Sequence, residues 1–116
     1  MIIVGFTNKT SKILPRILCH KFRHVAPIVM IKKNHFVLYQ FVRRKNIAKI
    51  PIKTRDIKIL GQHGWKFICL TKNPVKNFAR QPAWSCVKLV KNSINLRNRR
   101  IQTPYALYKK LKNLEL

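Results

Sequence analysis

HVAPIVMIKKNHFVLYQFV, residues 24 to 42, decides the fold. Two apolar runs, HVAPIVMI and HFVLYQFV, flank the short polar break Lys32-Lys33-Asn34. Runs of that length around a turn signal read as an antiparallel hairpin with a basic turn. If the chain reverses at Lys32 to Asn34, the far end of the second run returns beside His24. Gln40 or Val42 then shares a face with that histidine, depending on register. Gln40 is the polar one of the two, and its amide can fix an imidazole tautomer.

Working outward, MIIVGF at the start reads as a short strand, and NIAKIPIKT alternates through Ile47, Ile50 and Ile52. Pro51 marks that strand as an edge or a bulge, and Pro27 removes a ladder donor and predicts a bulge in its own strand. Between the first strand and the hairpin, TSKILPRILCHKF has helical spacing through Ile13, Ile17 and Leu18, with Pro15 in its first turn. RDIKILGQHG predicts a helical turn closed by Gly61 or Gly64, WKFICL another strand, and TKNPVKNFARQPA a loop.

The last third is helical. Ser85 is a good N-cap for CVKLVKNSINL, with Trp84 placed to staple onto Leu89. Thr103 caps a second helix whose first residue is Pro104, and Leu107, Tyr108, Leu111 and Leu114 form its apolar stripe. The chain is expected to be α+β, a small antiparallel sheet with helices packed against one side.

At 116 residues the chain is long enough for one core but not two. Its 26 Lys+Arg stand against two acids, Asp56 and Glu115, for a formal charge of +24. Codon bias toward lysine would raise glutamate as well, so the asymmetry favours a polyanionic partner: nucleic acid or an acidic envelope polymer. Arg43, Arg44 and Lys45, and then Arg97, Arg99 and Arg100, are the basic clusters expected to carry that contact. None belongs to a named nucleic-acid reader, so a phosphate contact independent of sequence is what they support.

Cys19, Cys69 and Cys86 form no CxxC pair, and an odd number argues against a disulfide framework. The four histidines match no zinc spacing, so neither a metal nor any other cofactor is expected. The first residues lack the basic and long apolar regions of a signal peptide. No apolar run approaches the roughly 18 residues of a membrane span.

Cys86 admits two readings. A lone cysteine on a helix face is ordinarily packing. With Ser85 as cap, however, Cys86 is the first helical residue, where the helix dipole favours a thiolate. Its face is shared with Leu89 and Val90, so the thiol is expected to point at the sheet. A nucleophile there needs a base on a strand, and His24 heads one, with His20 as competitor.

The order of these residues carries a resemblance: FRHVAPIVMI, then FVLYQF, and much later WSCVKLVKNSINL and TPYALYKKL. It resembles the circularly permuted branch of the NlpC-like papain-fold amidases and peptidases, in which the histidine strand precedes the cysteine helix. The likeness runs from His24 to Leu111 and implies a single permuted papain-like domain over residues 1–116. It implies a thiol hydrolase acting on a peptide or amide through an acyl-enzyme. Cys86 would be the nucleophile, His24 the base, Gln40 the orienting residue and Gln81 an oxyanion donor. It also implies a cytoplasmic or virion location, with partner proteins in a virion assembly. The alternative, from another class, is a non-catalytic basic protein that uses the same fold to bind nucleic acid or hold an assembly together.

Overall fold

The computed structural model describes residues 1–7, 24–43 and 46–114. Five strands, β1 (Ile2–Thr7), β2 (His24–Lys32), β3 (His35–Arg43), β4 (Asn46–Ile52) and β5 (Lys66–Leu70), form one sheet in the order β4-β3-β2-β1-β5. Every pairing is antiparallel. The described helices are α1 (Thr54–Gln62), α2 (Cys86–Ile94) and α3 (Pro104–Leu114), with a 3-10 turn at Phe78–Arg80. The class is therefore α+β. The helix expected within residues 10–22 lies outside the described residues.

The hairpin forms where the apolar runs break. Asn34 takes the left-handed turn conformation at φ 63°, which asparagine tolerates better than most residues. Its Oδ1 accepts from the Thr54 N–H at 3.0 Å, tying the turn to the start of α1. There Asp56 accepts the Lys53 N–H at 2.7 Å, and its charge complements the positive end of the helix.

Pro27 acts differently from the expected bulge. The β1–β2 register runs unbroken from Ile2↔Val29 to Thr7↔His24, through Val4↔Pro27. The irregularity falls instead between Met30 and Lys32. The β2–β3 ladder, however, reaches only as far as Ile28↔Leu38, so Pro27, with no N–H to give, stands where it stops. Beyond that point β3 continues its pairing with β4 alone, through Gln40↔Ala48 and Phe41↔Ile47.

Helices cover both faces of the sheet, which corrects the one-sided packing expected from the sequence. Ile2, Val4, Phe6 and Val25 are buried with Val87, Val90, Leu107 and Leu111 of α2 and α3. The alternate residues Ile3, Ala26, Ile28, Phe36 and Leu38 pack on the opposite face, against Ile57 and Leu60 of α1 and against Trp65 and Phe67. A strand apolar on both faces is what a covered sheet requires, because successive side chains point to opposite sides.

Candidate functional site

His24 and Gln40 come together. Both belong by alternation to the α1 face of the sheet, and the Gln40 side chain hydrogen-bonds the imidazole across the gap where the β2–β3 ladder has ended. His24 also meets Trp65 edge-on, with ring centroids 6.3 Å apart. Burial holds the His24 pKa below its ordinary value, and the Gln40 hydrogen bond opposes this more weakly. Its Nε2 is buried and has no hydrogen-bond partner among the described residues.

Cys86 lies on the other side. It is the first residue of α2 and packs against the core cluster that α2 and α3 form with Ile2, Val4, Phe6 and Val25. That cluster lies on the face of the sheet opposite the one to which His24 belongs by alternation. The described structure thus joins His24 to Gln40 and does not join either to Cys86. The local expectation for the helix start holds: Ser85 is the N-cap, and its Oγ accepts from the Lys88 N–H at 3.1 Å. His20 and Cys19 lie outside the described residues.

A different feature gathers the charge. Residues of α2, with the segments before and after it, enclose a cleft of about 730 Å³. Trp84, Lys88, Lys91, Arg97 and Arg99 line it, with Gln81 and Gln102. Among the described residues no carboxylate lines it. Of the chain's two acids, Asp56 sits on α1 across the sheet, and Glu115 is outside the described residues.

The segment carrying the arginines is built, not slack. Asn95 ends α2 in the left-handed conformation at φ 58°, which turns the chain back on itself. The Leu96 N–H then returns to the Lys91 carbonyl at 2.9 Å. Lys91 is buried, and its Nζ donates to the carbonyls of Asn98 at 2.7 Å and Ile101 at 2.9 Å. Burial, and secondarily the charge of Lys88, holds its pKa below the ordinary lysine value. Asn98 Oδ1 accepts the Arg100 N–H at 2.9 Å, and Asn95 Oδ1 accepts from Arg97 Nε at 3.2 Å.

Of the sequence-predicted polyanion ligands, Arg97 and Arg99 line the cleft and Arg100 does not. Arg44 and Lys45 lie outside the described residues, as does the side chain of Arg43. Gln81 lines the cleft beside Trp84 and Ser85. Sequence reasoning missed two residues. Trp84 does not staple onto Leu89: it is 67% exposed while Leu89 is fully buried, and Lys88 Nζ lies 5.4 Å from its ring centroid. Lys91 is the second. Its signal in the sequence is a lysine on the same helical face as Val87 and Ile94, a position that demands buried partners.

Among the described residues no group of three or more His, Cys, Asp or Glu is placed to hold a metal ion. Nor is any described helix long and apolar enough to cross a membrane. No family model, no curated protein sequence and no solved structure matches the chain.

Proposed function

We propose that this is a non-catalytic polyanion-binding protein that holds the phosphate backbone of nucleic acid in the cleft beside α2. The observation that carries the reading is the cleft's lining: Lys88, Lys91, Arg97 and Arg99 share one concavity that no carboxylate of the described residues lines. Scattered lysines would make a protein merely soluble. Cations gathered in a concave surface focus the field and displace counterions from a phosphate chain. The Lys91 clamp adds preorganisation, because the arginine segment does not have to be ordered at the moment of binding.

The test is the salt dependence of binding to a nucleic acid of mixed sequence. Log affinity should fall linearly with log salt, and R97Q/R99Q should flatten that slope by about 0.7–0.9 for each phosphate that is no longer neutralised. An unchanged slope and affinity in the double variant would refute the cleft as the site.

A thiol hydrolase acting through Cys86 is the second reading. What supports it is the Ser85-capped helix start on which Cys86 stands, together with an imidazole already bonded to Gln40 as a general base would be. His24 belongs by alternation to the α1 face and Cys86 packs on the other, so the pairing of these two is the part of this reading that labelling of Cys86 tests. The cationic cleft needs no further partner, and for that reason it is preferred.

A further inference from the structure

We infer that the nucleic acid taken by this cleft is single-stranded, with a base stacked on Trp84; the inference rests on the polyanion reading and names its substrate class. Trp84 is the most exposed of the large apolar side chains described. Its expected staple partner is already engaged, because Leu89 is fully buried with Val29, Phe78 and Ala83. The indole instead stands at the edge of the cleft with Lys88 Nζ over its ring. An indole left in water beside a cation, in the concavity that also holds Arg97 and Arg99, has the two parts of a single-strand site. One is a π-face for a base; the other is a cationic track for the backbone.

A duplex can use only the second part. Its bases are stacked on one another, and reaching Trp84 would require unstacking at a cost of a few kcal/mol. The amides in the cleft are already spent in part, since Asn92 Nδ2 donates to the Pro82 carbonyl at 3.2 Å and Gln102 Nε2 to that of Arg99 at 2.9 Å. Few groups remain to read base edges, so discrimination between sequences should be slight and discrimination between strand forms large. The cleft volume of about 730 Å³ falls within the range of roughly 300–1,000 Å³ typical of sites that enclose organic ligands.

The experiment compares an oligothymidylate, its duplex with oligoadenylate, and heparin, each titrated at the same salt into the wild-type chain and Trp84→Ala. The chain has two tryptophans, so Trp65→Phe isolates the Trp84 fluorescence, and the difference between wild type and Trp84→Ala serves where that variant folds poorly. The single strand is expected to quench Trp84, and Trp84→Ala to weaken that strand by about 5- to 150-fold. Heparin and duplex affinities should hardly change. Equal affinity for strand and duplex without quenching overturns the stacking inference and leaves the polyanion reading standing. Failure to bind any of the three at low salt overturns both.

Discussion

The buried ammonium of Lys91 bonds the carbonyls of both Asn98 and Ile101, so α2 itself fixes the segment that carries Arg97 and Arg99. A lysine in that position holds the arginine segment through its hydrogen bonds, and its side chain also lines the cleft. Lys91→Met keeps the length of the side chain and removes the donor. Leaving the buried carbonyls without it is expected to cost about 1–3 kcal/mol of stability. Polyanion affinity should fall as well, because the arginines must then be ordered on binding. Paired denaturation and binding curves test this: normal stability with normal affinity would show that the clamp is dispensable.

Gly5 occupies a second tight place. A Cβ built there would lie 2.9 Å from Cε3 and 3.0 Å from Cζ3 of Trp65, and 3.2 Å from Phe67 Cε1. Those rings cannot retreat without disturbing the cluster beneath α1. Gly5→Ala is expected to destabilise the fold by about 1–3 kcal/mol through overpacking. Trp65→Leu in the same chain should recover part of that loss, since the two side chains would press on one another directly. A Gly5→Ala protein as stable as the wild type would mean that the rings move freely.

These particular residues also show what the sequence could and could not specify. The hairpin was legible because its two apolar runs are broken by Lys33 and Asn34, and the caps because Ser85 and Thr103 each hold the N–H three residues on. Which helix would cover which face was not legible. On β2 the faces read Val25, Pro27, Val29 and Ala26, Ile28, both apolar, so alternation carries no label for α1 or for α2. Without that label, His24 and Cys86 could be placed at the same end of the sheet but not on the same or opposite side. The staple expected of Trp84 fails because that rule looks along the helix, whereas Leu89 is claimed by the 3-10 turn residue Phe78 and by Val29 of β2 beneath it.

His24 makes stability depend on pH. Its pKa is lowered in the folded protein, so the unfolded chain binds that proton more readily. Stability from this source is full above the ordinary histidine value and declines as pH falls through it toward the folded value. The thermal midpoint of the wild type should therefore fall more steeply than that of His24→Asn between about pH 7.5 and about pH 5. Gln40→Leu removes the group that favours protonation and should steepen the wild-type decline. Parallel curves for wild type and His24→Asn would show that the imidazole titrates freely.

Cys86 packs on one face of the sheet and His24 belongs by alternation to the other, and thiol labelling reads directly whether the two act independently. In a background with Cys19 and Cys69 changed to serine, iodoacetamide reports on Cys86 alone. The helix start contributes the same field at this position whether or not an imidazole is present across the sheet. His24→Ala is therefore expected to leave the alkylation rate of Cys86 within about twofold, as it removes no neighbour of the thiol. Ser85→Ala acts on the helix start itself; losing its cap should cost about 0.5–2 kcal/mol and loosen the first turn. It should alter the Cys86 rate more than the histidine substitution does. Should His24→Ala instead slow alkylation by an order of magnitude without unfolding the chain, the thiol and imidazole must meet. That result would return Cys86, His24 and Gln40 to the roles of nucleophile, base and orienting residue, and favour the hydrolase over the polyanion-binding protein.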